Sequence, residues 1–283
     1  MAPRLDFHTH TTASDGTLSP RALVRKAVEH GVGVLAITDH DSTEGLAEAG
    51  DEAARHGITL VPGVEINCEI ERANGRRAEV HVLGYFVDVT DVTFQEFLSD
   101  RRRERVRRVE AMCERLAALG MPLPASEVFA LAGDGAAGRP HVAQAMVDRG
   151  YARSVREAFD RYLGASGPVR APRFDLPPAD AVAVIRRARG VPVLAHPGLI
   201  GDDGVIPPLI AAGLLGIESY YAMHSAGQTT TYLGLCRERG LVATGGSDYH
   251  GPRNGRSAQP GTPLVPDAAW QGLQAMAARV ATR

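Results

Sequence analysis

Short apolar runs alternate with longer segments of helical spacing along most of the chain, the rhythm of βα units around a mainly parallel sheet. Runs of strand character cover residues 5–8, 32–38, 59–66, 80–86, 191–196, 215–219 and 241–245. Between them apolar positions recur three and four apart, which predicts helices over 20–30, 43–56, 178–189, 207–212, 228–239 and 267–278. Ser19 stands where the first helix needs an N-cap, and Gly57 where the second needs a left-handed C-cap. The pattern reads as about seven βα repeats. From about residue 93 to 170 the rhythm stops, and helical spacing continues without a strand. That stretch reads as a helical subdomain, residues 99–170, inserted into an α/β barrel built from residues 1–98 and 171–283.

Composition narrows the class. With 283 residues, 44% of them hydrophobic and 23% charged, the chain can bury a large core, which excludes disorder and fits one barrel-sized domain. A formal charge of −2 gives no global pull toward nucleic acid or an anionic membrane, so any polyanion must be held locally. Cys68, Cys113 and Cys236 are odd in number, widely spaced and without a CxxC pair, which suits a reducing cytoplasm and structural roles. No signal-peptide core and no run of roughly 18 apolar residues is present, so the expected protein is cytoplasmic, free of membrane and without an obligate protein partner. One charge cluster stands out: RRRERVRR at 101–108, where Arg101, Arg105 and Arg108 share a helix face. It reads either as a solvated face or as an electrostatic guide for an anionic substrate.

Chemistry gathers at the strand ends. His8 and His10 close LDFHTH, Asp15 follows in the next loop, His40 closes LAITDH and Glu65 ends LVPGVE. His81 lies in EVHVLG, His196 in VLAHP, and Asp248 with His250 closes GGSDYH. Side chains two apart on a strand share a face, and in a parallel barrel all strand C-termini open on one rim. Taken singly, each histidine is more simply a hydrogen-bonded structural residue. Gathered together, six histidines and three carboxylates would be costly to bury unless cations compensated them. A multinuclear centre does so, and imidazole with carboxylate but no thiolate suits Zn, Mn or Fe. Asp39, Asp41 and Ser42 either orient His40 or start the next helix, and Asp6 shares a face with His8, where it could pair with a ligand or with Arg4. His30 and His56 fall at helix ends. His224, Tyr220 and Tyr221 follow a strand toward the rim, where the tyrosines serve as a base-stacking surface or as core.

HTHTTASDGTLSP, AITDHDS, GVEI, HVLGY, LAHPG and GSDYH resemble, in order and spacing, the successive motifs of the PHP (polymerase and histidinol phosphatase) family. The resemblance implies a distorted (β/α)7 barrel with three divalent metals. On it, His8, His10, Glu65 and Asp248 would hold the first metal, Glu65, His81 and His196 the second, and Asp15, His40 and His250 the third. Catalytic roles would fall to Glu65, Asp248 and His196. The insertion, with GRPHVAQAMVDRGY and AFDRYLGASGPV, is similar to the branch acting as nucleoside 3′,5′-bisphosphate phosphatases and 5′ to 3′ exoribonucleases. There Arg139 and His141 are the candidates matching the grip on the second phosphate; the plainer reading is that Arg139 caps a helix start and His141 packs in its first turn. Gly167 stands where many relatives carry a basic residue, and Arg170 is the substitute. The expected activity is a metal-dependent phosphoesterase cleaving nucleoside bisphosphates and short 5′-phosphorylated RNA by metal-hydroxide attack. The alternatives are a histidinol phosphate phosphatase, an amidohydrolase-like hydrolase and a metal-stabilised binding module.

Overall fold

The computed structural model describes residues 3–71, 77–164, 167–169, 171, 176–252 and 258–282. The first half of the barrel comprises β1 (Arg4–Asp6), α1 (Pro20–Glu29), β2 (Val32–Ile37), α2 (Leu46–His56), β3 (Thr59–Glu71) and β4 (Arg77–Tyr85). A helical stretch follows: α3 (Val92–Ala118), α4 (Ala125–Ala132), α5 (Arg139–Asp148) and α6 (Val155–Ala158), which runs into a π-helical turn at Phe159–Leu163. The chain then returns through α7 (Pro178–Arg187), β5 (Val191–Leu194), α8 (Ile206–Ala211), β6 (Gly216–Tyr221), α9 (Ala226–Arg239), β7 (Val242–Gly246) and α10 (Asp267–Ala281).

Local chemistry sets several of these boundaries. The Ser19 hydroxyl accepts the Ala22 amide at 3.2 Å, and Pro20 opens α1 without wasting a donor. Gly57, with φ +67°, closes α2 in the left-handed conformation. The Asp91 carboxylate caps α3 through the Phe94 amide at 2.8 Å. β2 is buried on both faces: Val34 and Ala36 join a cluster with Leu5, Phe7 and the α10 residue Leu273, while Leu35 and Ile37 pack against Leu23 of α1 and Ala49 of α2.

Seven strands pair in sequential order to form one sheet. β1, β2 and β3 are parallel, as are β5, β6 and β7, but β4 is antiparallel to both its neighbours. This corrects the expected run of seven βα repeats. An apolar run carries no direction of its own; the connection decides it, and the five residues between β3 and β4 are too few for a crossover helix. β3 therefore changes partners along its length. Its start pairs with β2 as far as Pro62, and from Gly63 to Glu71 it pairs with β4. Chain just beyond β1 and β7 nearly closes the barrel, with Phe7 N to Gly245 O at 3.1 Å, Asp248 N to His8 O at 2.8 Å and His10 N to Tyr249 O at 2.9 Å.

α3 belongs to two packing regions. Phe94 and Leu98 join the barrel core with Val182 and Ile185 of α7. Met112 and Leu116 join a separate core with Val128, Val142, Met146 and Leu163. Full burial of such a side chain contributes about 1.5–3 kcal/mol, which gives the helical stretch a core of its own. Ion pairs fasten it over the barrel: Arg102 to Glu44 at 3.1 Å, Arg105 to Asp41 at 2.7 Å, and Arg139 to Glu79. All three cysteines are buried thiols. Among the described residues no helix is long and apolar enough to cross a membrane.

Candidate metal centre

His8 and His10 lie on the extended chain just past β1, and the loop that follows brings Asp15 back toward His10. His40 lies past β2, His196 past β5, and Asp248 and His250 past β7. Glu65 and His81 depart from the expectation of strand ends, because both sit inside the β3–β4 hairpin. Glu65 follows directly on the point where parallel pairing stops, and its backbone bridges His40. The hairpin thus continues past the rim as a wall, and alternation points Glu65, Asn67 and Glu69 of β3, with Arg77, Glu79 and His81 of β4, at one cavity.

The nine predicted residues meet. Glu65 Oε2 lies 3.3 Å from His8 Nε2, 3.2 Å from His10 Nε2 and 3.0 Å from His40 Nδ1. Its Oε1 lies 2.9 Å from His81 Nδ1 and 3.1 Å from His196 Nε2. Asp248 Oδ1 is 3.5 Å from His8 Nε2 and 3.3 Å from His10 Nε2, and Asp15 Oδ1 is 3.3 Å from His250 Nε2. Four overlapping sets offer convergent ligand atoms: His10, Asp15, His40 and His250; His8, His10 and Glu65; His8, His196 and Asp248; and His40, Glu65 and His81.

Protein groups alone do not satisfy this cluster. The Nε2 atoms of His8 and His10 face each other at 3.1 Å, where one proton at most can lie between them. Buried atoms without a hydrogen-bond partner among the described residues include His10 Nδ1, Asp15 Oδ1, Glu65 Oε2, His81 Nε2 and His196 Nδ1. Such orphans are rare in protein interiors. Divalent cations held by nitrogen and oxygen donors would fill these positions, so the residues fit metal.

Proton affinities point the same way. Burial pushes the Glu65 carboxyl up, but His40, His8 and His81 outweigh it and hold it well below the usual range. Asp15 is likewise held low against burial by His250 and His40. Burial disfavours charge on His10, yet Asp248 and Glu65 raise it to about 9, while His40 is driven by burial down to about 4. Glu65 and Asp15 stay charged and His10 retains a proton, which metal binding would displace.

Around this floor lie residues that carry it. Asp39 accepts the Thr11 amide and hydroxyl, both at 2.7 Å, and the Ser14 hydroxyl at 2.5 Å, fastening the loop between His10 and Asp15. Asp41 takes Arg105 and the Asn67 amide, so of the two readings for these aspartates neither starts α2, which begins at Leu46. Of the two expected partners, a ligand or Arg4, Asp6 takes the first, accepting the His8 amide at 3.3 Å. It accepts Ser247 N at 2.9 Å, Ser247 Oγ at 2.7 Å and Gly261 N at 2.8 Å, and burial still pushes its carboxyl up to about 6. His224 donates to Ser219 O at 3.2 Å and accepts the Gly198 amide at 3.1 Å, pinning the turn after His196. Tyr221 is buried and donates its hydroxyl to Asp248 Oδ2 at 2.9 Å. Glu218 and Asn67 were not singled out from the sequence, yet Glu218 contacts His8 and Asn67 contacts His40. A lone acid inside the apolar strand run was the available signal for Glu218.

The cavity above the floor has a volume of about 460 Å³, within the range of small-ligand sites. Its helical wall bears Arg105, Arg108, Arg139 and Phe159. The arginine face of α3 therefore points to the cavity at Arg105 and Arg108, while Arg103 is exposed and pairs with Asp100 along the helix. Arg139 pairs with Glu79 and lies 5.7 Å above the Phe159 ring. His141 does not line the cavity; its Nδ1 accepts the Gly138 amide at 3.1 Å, and burial lowers its pKa. Arg170 falls outside the described residues.

A histidine–carboxylate floor beneath arginines is a site for metal-assisted hydrolysis of a phosphate ester. The PHP domain profile matches residues 6–167. The chain is 36% identical over 261 residues to the 5′-3′ exoribonuclease Rnm of Escherichia coli, covering 87% of this chain and 85% of that one. It is 34% identical over 266 residues to a 3′,5′-nucleoside bisphosphate phosphatase of Chromobacterium violaceum, covering 89% and 88%. A Bifidobacterium adolescentis structure described as a metal-dependent phosphoesterase superposes with a TM-score of 0.87 at 30% identity, covering 97% and 96%. The chain belongs to the PHP family and is a metal-dependent phosphoesterase.

Proposed function

We propose that this phosphoesterase hydrolyses nucleoside 3′,5′-bisphosphates, releasing the 3′-phosphate, and also acts on the 5′ ends of short oligoribonucleotides. The observation that carries this reading is one cavity floored by a cluster of nine histidines and carboxylates able to hold metal, seven of which line it, with Arg139 and Phe159 on its helical wall. The names of the Escherichia coli and Chromobacterium violaceum relatives support the same two substrate types.

Three divalent ions, Mn, Zn or Fe, would be held by His8, His10, Glu65 and Asp248; by Glu65, His81 and His196; and by Asp15, His40 and His250. When bound, such ions supply a nucleophile at neutral pH and neutralise charge on the phosphoryl and leaving oxygens. Glu65, with imidazoles against both its oxygens, would be shared between two of these sites. Asp248 and His196 converge with His8 on the same floor, their donor atoms within 4.8 Å of one another. Arg139 grips the second phosphate in exchange for Glu79, so that binding far from the reacting bond orients it.

The test is product analysis after incubating Mn-reconstituted protein with adenosine 3′,5′-bisphosphate, beside a chelator-treated control. AMP and phosphate appearing only with metal is the expected result. Phosphate released from histidinol phosphate, with the bisphosphate untouched, would overturn the substrate assignment.

A further inference from the structure

β6 supplies none of the ligands proposed above, yet its side chains and backbone neighbours touch three of them. Its register against β7 shifts between Glu218 and Tyr220. In an unbroken strand Glu218 would share a face with Tyr220, and Tyr221 would point away. The irregularity lets Glu218 and Tyr221, three positions apart, both reach the metal centre, as a bulge re-aims side chains beside an active site. Glu218 is fully buried, with Oε1 3.0 Å from His8 Nδ1 and Oε2 accepting the His196 amide at 2.8 Å. The Tyr221 hydroxyl donates to Asp248 Oδ2 at 2.9 Å.

We infer that β6 is a positioning strand, through which Glu218 and Tyr221 set the donor atoms that His8, His196 and Asp248 present to metal. A carboxylate against His8 Nδ1 can only accept, so the ring proton stays on that side and the Nε2 lone pair is left toward Glu65 and Asp248. His196 stands at φ +29°, a backbone setting disfavoured for a residue with a Cβ, and the bond from its amide to Glu218 holds that turn while the ring reaches Glu65. Tyr221 occupies one oxygen of Asp248 and leaves the other facing His8 and His10. Asp248 also stands at positive φ, +50°. The inference rests on the ligand sets proposed above.

Glu218→Gln tests it with little change of shape. The glutamine oxygen can accept one of the two donors, and its NH2 must then face the other. Where it faces His8, the ring proton is driven to Nε2 and blocks the metal-facing atom. Binding of Mn2+ to the metal-free variant, followed by competition with a chelator, should be weaker by about 10- to 100-fold. The visible spectrum of the Co2+ form should change, and kcat should fall with KM for the substrate held. Tyr221→Phe should weaken Mn2+ binding by a smaller factor, and it carries the test alone should Glu218→Gln fail to fold, since it removes a single oxygen. Folded variants that bind Mn2+ as tightly as wild type, with an unaltered Co2+ spectrum, would overturn the inference. Wild-type protein that binds no Mn2+ would instead overturn the ligand sets on which it rests.

Discussion

Two carboxylates in this protein are equally buried and serve opposite ends. Glu65 in the metal centre is 1% exposed, and Glu52 on α2 is 2% exposed. Glu52 is met by Arg25 at 2.6 Å, Arg55 at 3.1 Å and His56 at 3.2 Å, with Arg21 at 3.8 Å. Its arginine neighbours carry permanent charge, both its oxygens are hydrogen-bonded, and the bond from Arg25 leads in lowering its pKa to about 2. Glu65 is met by imidazoles, which cannot all be charged at once, and one of its oxygens has no hydrogen bond among the described residues. Burial of an acid therefore does not mark a site. What marks one is a set of partners that leaves lone pairs converging on a point without satisfying them.

The contrast can be broken at either end. Glu65→Gln should lower kcat on the order of 10³-fold or more, since it removes a carboxylate shared between proposed metal positions, while far-ultraviolet circular dichroism stays unchanged. Near-normal turnover would sink the ligand assignment. Arg139 sharpens the comparison, because it is paired like Glu52 but faces the cavity like Glu65. Arg139→Ala should raise KM for a bisphosphate by roughly 10- to 100-fold and leave a simple monophosphate ester little affected, as loss of a charged hydrogen bond costs about 1.5–3 kcal/mol. Equal losses on both substrates would remove the second-phosphate role.

The smallest effect belongs to Glu52→Gln, which should leave kcat and KM alone and lower the unfolding temperature at pH 7. Because the folded-state pKa is depressed from 4.5 to about 2, this stabilisation is complete above 4.5 and fades as pH falls toward 2. Thermal melts of wild type and variant should accordingly converge between pH 4.5 and 2. A gap that persists at pH 2 would mean that packing, and not charge, is what the mutation removed.

Which parts could be read in advance follows from how local the signal is. His8 with His10, and Asp248 with His250, announce themselves because two-residue spacing on extended chain already implies a shared face. The reversal of β4 is not written in residues 80–86, whose apolar pattern is the same in either direction. The Asn74 and Gly75 pair between the two runs is the hairpin signal that could have found it. Glu218, and the contact of Tyr221 with Asp248, escaped for a related reason: a register shift changes which residues share a face, and no residue type in GIESYY specifies it. The pairing of Arg139 with Glu79 joins positions 60 apart on different structural units, so only the packed chain displays it.

Asp41, His196 and Asp248 all hold left-handed backbone at positive φ, and all three lie at or beside the metal centre. Each such residue costs on the order of 1–3 kcal/mol, a strain that glycine at the same position would relieve. Stability and chemistry therefore pull these positions in opposite directions. A population of variants screened for heat resistance alone would drift toward glycine at 196 and 248, keep its barrel, and lose the side chains for which the barrel is bent.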